Sequence, residues 1–324
     1  FAPLNPINYQ LLIHIKMNLP PLPNERLTLG KPAPIVRRPG VGMAVLFGAM
    51  LIMASIVGIL PMVLPEHIVK TTAFMRITAV LQNIFVFIVP ALIAAFVVTR
   101  LPATFLKIDF KPTFRTLLFT CAILVISMPF LNFTVVLNSA LPLPEWLSSA
   151  TDSVEEMADN SIQLLLGGTS IGDLVMSILV IGVLTGIGEE LFFRGAMQGL
   201  FSSMRMNRHV AVWLTAFIFS VMHFEIYGIL PRMLLGAYFG YLIWWTGSIW
   251  NAMCAHALNN SIVAVATWLN NRSAEAETEI EEIEATLASY TATDYFFVVV
   301  SLALTLCGIY LLYRYCFRNR AKQS

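Results

Sequence analysis

The chain has 324 residues, of which 57% are apolar and 12% charged, with a mean hydropathy of +0.75. That exceeds what a soluble domain of this length needs for its core, so the sequence reads as an integral membrane protein. A net charge of +1, with no basic stripe and no aromatic-interleaved basic patch, gives no footing for a nucleic-acid partner.

The first sixteen residues lack the charged, apolar and cleavage-site order of a secretory signal, and Met17 stands as a start. Residues 18–39 are Pro-rich and polar, so residues 1–40 are expected to form a flexible tail. A single membrane-embedded helical domain over residues 41–316 and a basic tail over 317–324 complete the expected organisation. At about 20 residues per span, the apolar runs fall near 42–64, 76–98, 116–140, 171–201, 209–225, 229–247, 250–270 and 294–316. The fold class is therefore all-α, a polytopic bundle of about eight transmembrane helices.

Lysine and arginine set the orientation. With the N-terminus cytoplasmic, that side holds five in the tail, four at Arg100, Lys107, Lys111 and Arg115, two at Arg205 and Arg208, and four near the C-terminus. Those fifteen face four on the other side, Lys70, Arg76, Arg232 and Arg272, and both termini are expected to be cytoplasmic. The opposite connections are acidic, with Glu155, Glu156 and Asp159 in one, read as a solvated face. The run over 275–284, with Ile280 and Ile283, is expected to form a short surface helix. Cys121, Cys254, Cys307 and Cys316 follow no metal or redox spacing and are read as packing residues.

The fourth span carries the sharpest anomaly, because Glu189, Glu190 and Arg194 interrupt an otherwise apolar run over 174–200. Each ionised group at a helix centre costs roughly 2.5–3.5 kcal/mol on insertion scales, so three together imply a function or a paired cluster. Glu190 and Arg194 are four apart and face each other along a helix, which leaves Glu189 available as a general base. Gly182 and Gly186 share the face of Glu189, an arrangement that leaves space beside that carboxylate. Gly236 and Gly240 in the sixth span mark a second close helix contact.

Two histidines lie in apolar helical sequence: His223 in the fifth span and His256 in the seventh, the latter sharing a face with Asn260 while Asn259 points elsewhere. At 1.5 Å per residue, Glu189 is about 16 Å from the cytoplasmic interface, His223 roughly 20 Å, and His256 and Asn260 about 12 and 18 Å. All can lie at one level. A carboxylate, two imidazoles and a carboxamide around one point suit amide hydrolysis by water, and no G-x-S-x-G or H-E-x-x-H motif supplies another nucleophile or a zinc helix.

Three motifs carry a resemblance: E-E-x-x-x-R at Glu189, Glu190 and Arg194, F-x-x-x-H at Phe219 and His223, and H-x-x-x-N at His256 and Asn260. In this order, within about residues 171–270, they resemble the CAAX protease and bacteriocin-processing (CPBP, or Abi) family of intramembrane endopeptidases, which includes the type II CAAX prenyl endopeptidases. The resemblance implies eight membrane helices around a cavity opening toward the cytoplasm. It further implies that Glu189 activates water, His223 helps bind it, His256 and Asn260 form the oxyanion site, and Glu190 and Arg194 hold the geometry. The family has been described both as metalloproteases and as metal-independent glutamate proteases. If zinc binds, Glu189, His223 and His256 are its candidate ligands. No cofactor is the favoured reading, because Asn260 suits an oxyanion donor better than a metal ligand. The expected partners are the lipid bilayer and a peptide or membrane-anchored protein substrate, either prenylated and CAAX-type or bearing a leader peptide. The alternatives are an ion-coupled transporter, which usually shows internal repeats not evident here, and a non-catalytic immunity or scaffold protein.

Overall fold

The computed structural model describes residues 35–140, 142, 144–275 and 287–321; the expected N-terminal tail up to residue 34 and the surface helix over 276–284 lie outside the described residues. Among the described residues there are helices and no strands. Among the described residues nine long helices follow in order: α1 (Pro39–Val63), α2 (Thr72–Val98), α3 (Phe114–Ser139), α4 (Glu145–Leu165), α5 (Ile171–Ser203), α6 (Arg208–Val221), α7 (Ile229–Thr246), α8 (Ile249–Glu275) and α9 (Ala292–Ala321).

Six of these are long and apolar enough to cross a membrane: α1, α2, α3, α5, α7 with the turn before it, and α9. The other two expected spans are helices of a different kind. Helix α6 is shorter, with 14 residues, and α8, at 27 residues, has a lower hydropathy because it carries Asn251, His256, Asn259 and Asn260. The expected basic tail at 317–324 continues α9 as helix to Ala321, and α1 begins at Pro39, inside the expected tail.

Local chemistry explains the boundaries. Thr71, Thr113 and Asn207 each accept a backbone N–H at a helix start, and Ser170 forms a capping box with Asp173 that opens α5. Gly247, at φ 76°, ends α7 in the left-handed region that suits a residue without a Cβ. Pro129 inside α3 disturbs the hydrogen-bond ladder beside it; Ser301 of α9 accepts from the N–H of Phe130 at 3.2 Å and donates to the carbonyl of Ile126 at 2.6 Å. Helix α4 departs from expectation. The acidic stretch around Glu155, read as a solvated face with no helix assigned to it, is a 21-residue helix, and the carboxylate of Glu155 accepts from the N–H of Tyr227 in the turn before α7.

Small residues bring α5 against α8. A Cβ on Gly186 would stand 2.9 Å from the backbone nitrogen of Ala257, and one on Gly182 would collide with Ser261. The space beside Glu189 is therefore filled by a neighbouring helix, and the glycine face positions α8. Gly236 and Gly240 do the same for α6, lying against Ala216 and Val212. Gly186→Val is expected to destabilise the protein by about 1–3 kcal/mol through overpacking, read as a lower unfolding temperature in detergent. An unchanged temperature would show that α5 and α8 do not depend on this contact.

Phe192 and Phe193 pack edge-on at 5.0 Å, with Phe87 beside them at 5.6 and 6.1 Å, so the aromatic core sits directly against the turn that bears the acidic pair. Helix α5 widens into π-turns at Ile178–Leu184 and Leu191–Met197, on either side of the segment Thr185–Glu190. Such turns re-aim side chains and recur at functional positions.

Candidate functional site

Glu190 is completely buried, as is the side chain of Arg194, and the two are joined by a 2.9 Å ion pair. The guanidinium carbon lies 4.3 Å from the ring centre of Phe219, 5.5 Å from that of Phe239 and 5.7 Å from that of Phe193, so an aromatic cage supports the cation. Glu190 has a second partner: the same oxygen that accepts from Arg194 is 2.9 Å from Nδ1 of His256. A carboxylate only accepts, so the proton of that contact is on Nδ1. Phe239 stacks on the imidazole at 5.1 Å and 20°, which fixes the ring plane. Glu190 is thus the hinge between the arginine and the histidine.

The other ring nitrogen of His256, Nε2, faces Glu189. Its distance to Oε2 is 3.7 Å, beyond hydrogen-bond length, and that buried oxygen has no hydrogen-bond partner among the described residues. His223 follows the end of α6, where its Nδ1 is 2.8 Å from the carbonyl of Phe219. A carbonyl also only accepts, so Nδ1 donates and Nε2 of the neutral ring is an acceptor. Phe219 lies between the two imidazoles, with centroids 4.9 Å from His223 and 5.9 Å from His256.

These groups surround a cavity of about 160 Å³, lined by Glu189, His223, His256 and Asn260 together with residues the sequence reading did not place there. Thr185 is one turn before Glu189. Asn259, expected to point away, is in the wall and donates to Oδ1 of Asn260 at 3.2 Å, while Asn260 donates to the carbonyl of Ile181 at 3.1 Å. Each carboxamide keeps a further N–H beyond these bonds. Arg232, counted above only as a flanking charge, also lines the cavity and is ion-paired with Glu225. Spacing alone does not reveal Asn259 or Arg232; their placement follows from how α7 and α8 lean together. A larger hollow of about 450 Å³ between α3 and α9 has Asp294 as its acidic lining group, and that carboxylate caps the N–H of Thr291 at 2.8 Å.

The candidate zinc ligands Glu189, His223 and His256 line one cavity, and the hydrogen bonds of both imidazoles engage Nδ1, leaving Nε2 as the nitrogen a metal would use. Among the described residues no three His, Cys, Asp or Glu side chains are grouped to hold a metal ion. Glu190 on Nδ1 of His256 and the Phe219 carbonyl on Nδ1 of His223 are the partners that orient a ligating imidazole as well as a water-binding one, so these residues would hold a zinc ion only after drawing closer together.

Residues 171–262 match the family model described as type II CAAX prenyl endopeptidase Rce1-like. The matched stretch contains every residue of the three motifs. Neither the curated proteins nor the solved structures yielded a match.

Proposed function

We propose, from the match of residues 171–262 to the Rce1-like model of type II CAAX prenyl endopeptidases, that this membrane protein hydrolyses a peptide bond with water activated by Glu189. One observation carries the mechanism: a buried carboxylate oxygen of Glu189 without a hydrogen-bond partner among the described residues, in the wall of a cavity shared with both imidazoles.

The groups divide the work. A water bound between Glu189 and the acceptor nitrogen of His223 gives a proton to Glu189, and its oxygen bonds to the substrate's carbonyl carbon. The carbonyl oxygen then carries the charge. Asn260 offers an N–H toward it, and His256 donates from Nε2 when both ring nitrogens carry protons, with Glu190 holding Nδ1. When the C–N bond breaks, Glu189 returns its proton to the departing amine, leaving one carboxylic acid, which keeps the water's other proton, and one amine product. Arg194 keeps the charge of Glu190 balanced throughout and acts as a positioning residue.

The test is direct. Full-length protein purified in detergent is incubated with a peptide library carrying an N-terminal acyl anchor, and products are identified by mass spectrometry. Discrete cleavage that follows Glu189 supports the reading. No cleavage, together with proton-coupled flux in liposomes, would overturn it in favour of a carrier. His223→Ala is expected to lower kcat by about 10²-fold or more, the scale of a positioned acid–base group, and unaltered turnover would remove His223 from the reaction.

A further inference from the structure

The two ends of the site differ in the side chains that close them. Toward the basic connections it is closed: every residue of 188–198 in α5 is buried. Beneath α5 the connection between α2 and α3 is folded inward. A Cβ on Gly195 would stand 3.1 Å from Leu106 and 3.2 Å from Ile249, and one on Gly199 3.1 Å from Phe105. That connection is also tied to the start of α8, with Ile249 N–H on the carbonyl of Lys107 at 3.2 Å, Ser248 hydroxyl on that of Phe110 at 2.6 Å, and Trp250 indole on that of Ile108 at 2.8 Å. Leu106, Leu200, Leu242 and Ile249 are completely buried there, an apolar plug under Arg194.

Toward the other end the cavity stays partly exposed. His223, Asn259 and Asn260 are half-buried, and the side chains of Arg232 and Glu225 retain 25% and 21% of their exposure. The turn at 222–228 forms this rim, with Phe224 74% exposed and helix α4 attached through Glu155. An ion pair and two carboxamides line that mouth, whereas leucine, isoleucine and phenylalanine close the opposite end.

The closed end is the one bearing Arg100, Lys107, Lys111, Arg115, Arg205 and Arg208, the cytoplasmic end by lysine and arginine placement. We infer that the cavity is entered from the opposite, non-cytoplasmic face of the membrane. Its substrate is then a membrane-anchored polypeptide whose scissile bond is exposed on that face, not a prenylated C-terminus on the cytoplasmic leaflet. This reverses the cytoplasmic opening implied by the family resemblance. The substrate class rests on the peptidase reading above; the direction of entry does not.

The experiment separates the two. In the full chain with Cys121, Cys254, Cys307 and Cys316 replaced by alanine, single cysteines are placed by Phe224→Cys at the rim and Met204→Cys in the basic turn after α5, both outside the catalytic machinery. Intact cells are treated with a membrane-impermeant maleimide. Phe224→Cys is expected to label fully before permeabilisation and Met204→Cys only after it; the reverse pattern overturns the inference. In parallel, sealed vesicles of each orientation receive a palmitoylated fluorogenic peptide library. Cleavage in right-side-out vesicles and its loss in inside-out ones supports the substrate class, and cleavage confined to inside-out vesicles overturns it. Outward labelling of Phe224→Cys with no cleavage in either orientation refutes the peptidase while the direction of entry stands.

Discussion

Glu189→Gln is expected to abolish peptide cleavage while leaving the protein folded. Glutamine has the same shape but cannot take a proton from water, and losing a positioned general base costs about 10²–10⁴-fold in rate. Stability should hold, because the buried oxygen of Glu189 has no hydrogen-bond partner among the described residues to lose and a neutral amide is cheaper to bury than a carboxylate. The measurement is cleavage by wild type and variant at matched unfolding temperature, each with and without a chelator. Cleavage that survives in Glu189→Gln would end the glutamate mechanism. Loss with chelator, restored by added zinc, would show that the site rearranges to gather Glu189, His223 and His256 around a metal.

The second large effect is on stability. Arg194→Ala strands the carboxylate of Glu190, completely buried and left with His256 as its neighbour. Breaking one side of a buried ion pair typically costs about 3–5 kcal/mol, far more than the pair itself contributes. The expected outcome is a steep fall in unfolding temperature and in yield of folded protein. Removing both charges with Glu190→Gln and Arg194→Met should recover much of that loss, since no uncompensated charge stays inside, while cleavage remains impaired because His256 loses its anchor. A double-mutant cycle reads the coupling. Additive losses would mean that the 2.9 Å pair contributes nothing specific.

Two variants of neighbouring residues therefore part company: Glu189→Gln loses chemistry and keeps stability, and Arg194→Ala loses stability first. Adjacent carboxylates receive these separate tasks because one points into an aromatic cage with a cation and the other into a polar cavity.

Much of this was legible before any coordinates. Excess apolar content implied a membrane bundle, and the i, i+4 spacing of Glu190 and Arg194 implied their pairing, because both are properties of composition and of helix periodicity. Neighbour identity was not legible. The glycine face of α5 left room for something, but only packing shows that Ala257 and Ser261 of α8 fill it. Helix α4 was missed because its acidic residues mask the spacing of its apolar ones, and Asn259 because adjacent residues on an ideal helix diverge while this pair is hydrogen-bonded at the cavity wall.

By itself the chain determined its solvent, its helical character and the small set of side chains able to do chemistry, since charge within an apolar run can be read locally. Tertiary structure alone decided that one oxygen of Glu190 serves both Arg194 and His256, that Arg232 and Asn259 reach the same cavity, and which end of the site apolar side chains close. The physical reason is one of range: helix geometry sets which residues share a face, but what that face meets depends on contacts between segments distant in sequence, and only those contacts choose between an apolar plug and a polar cavity wall.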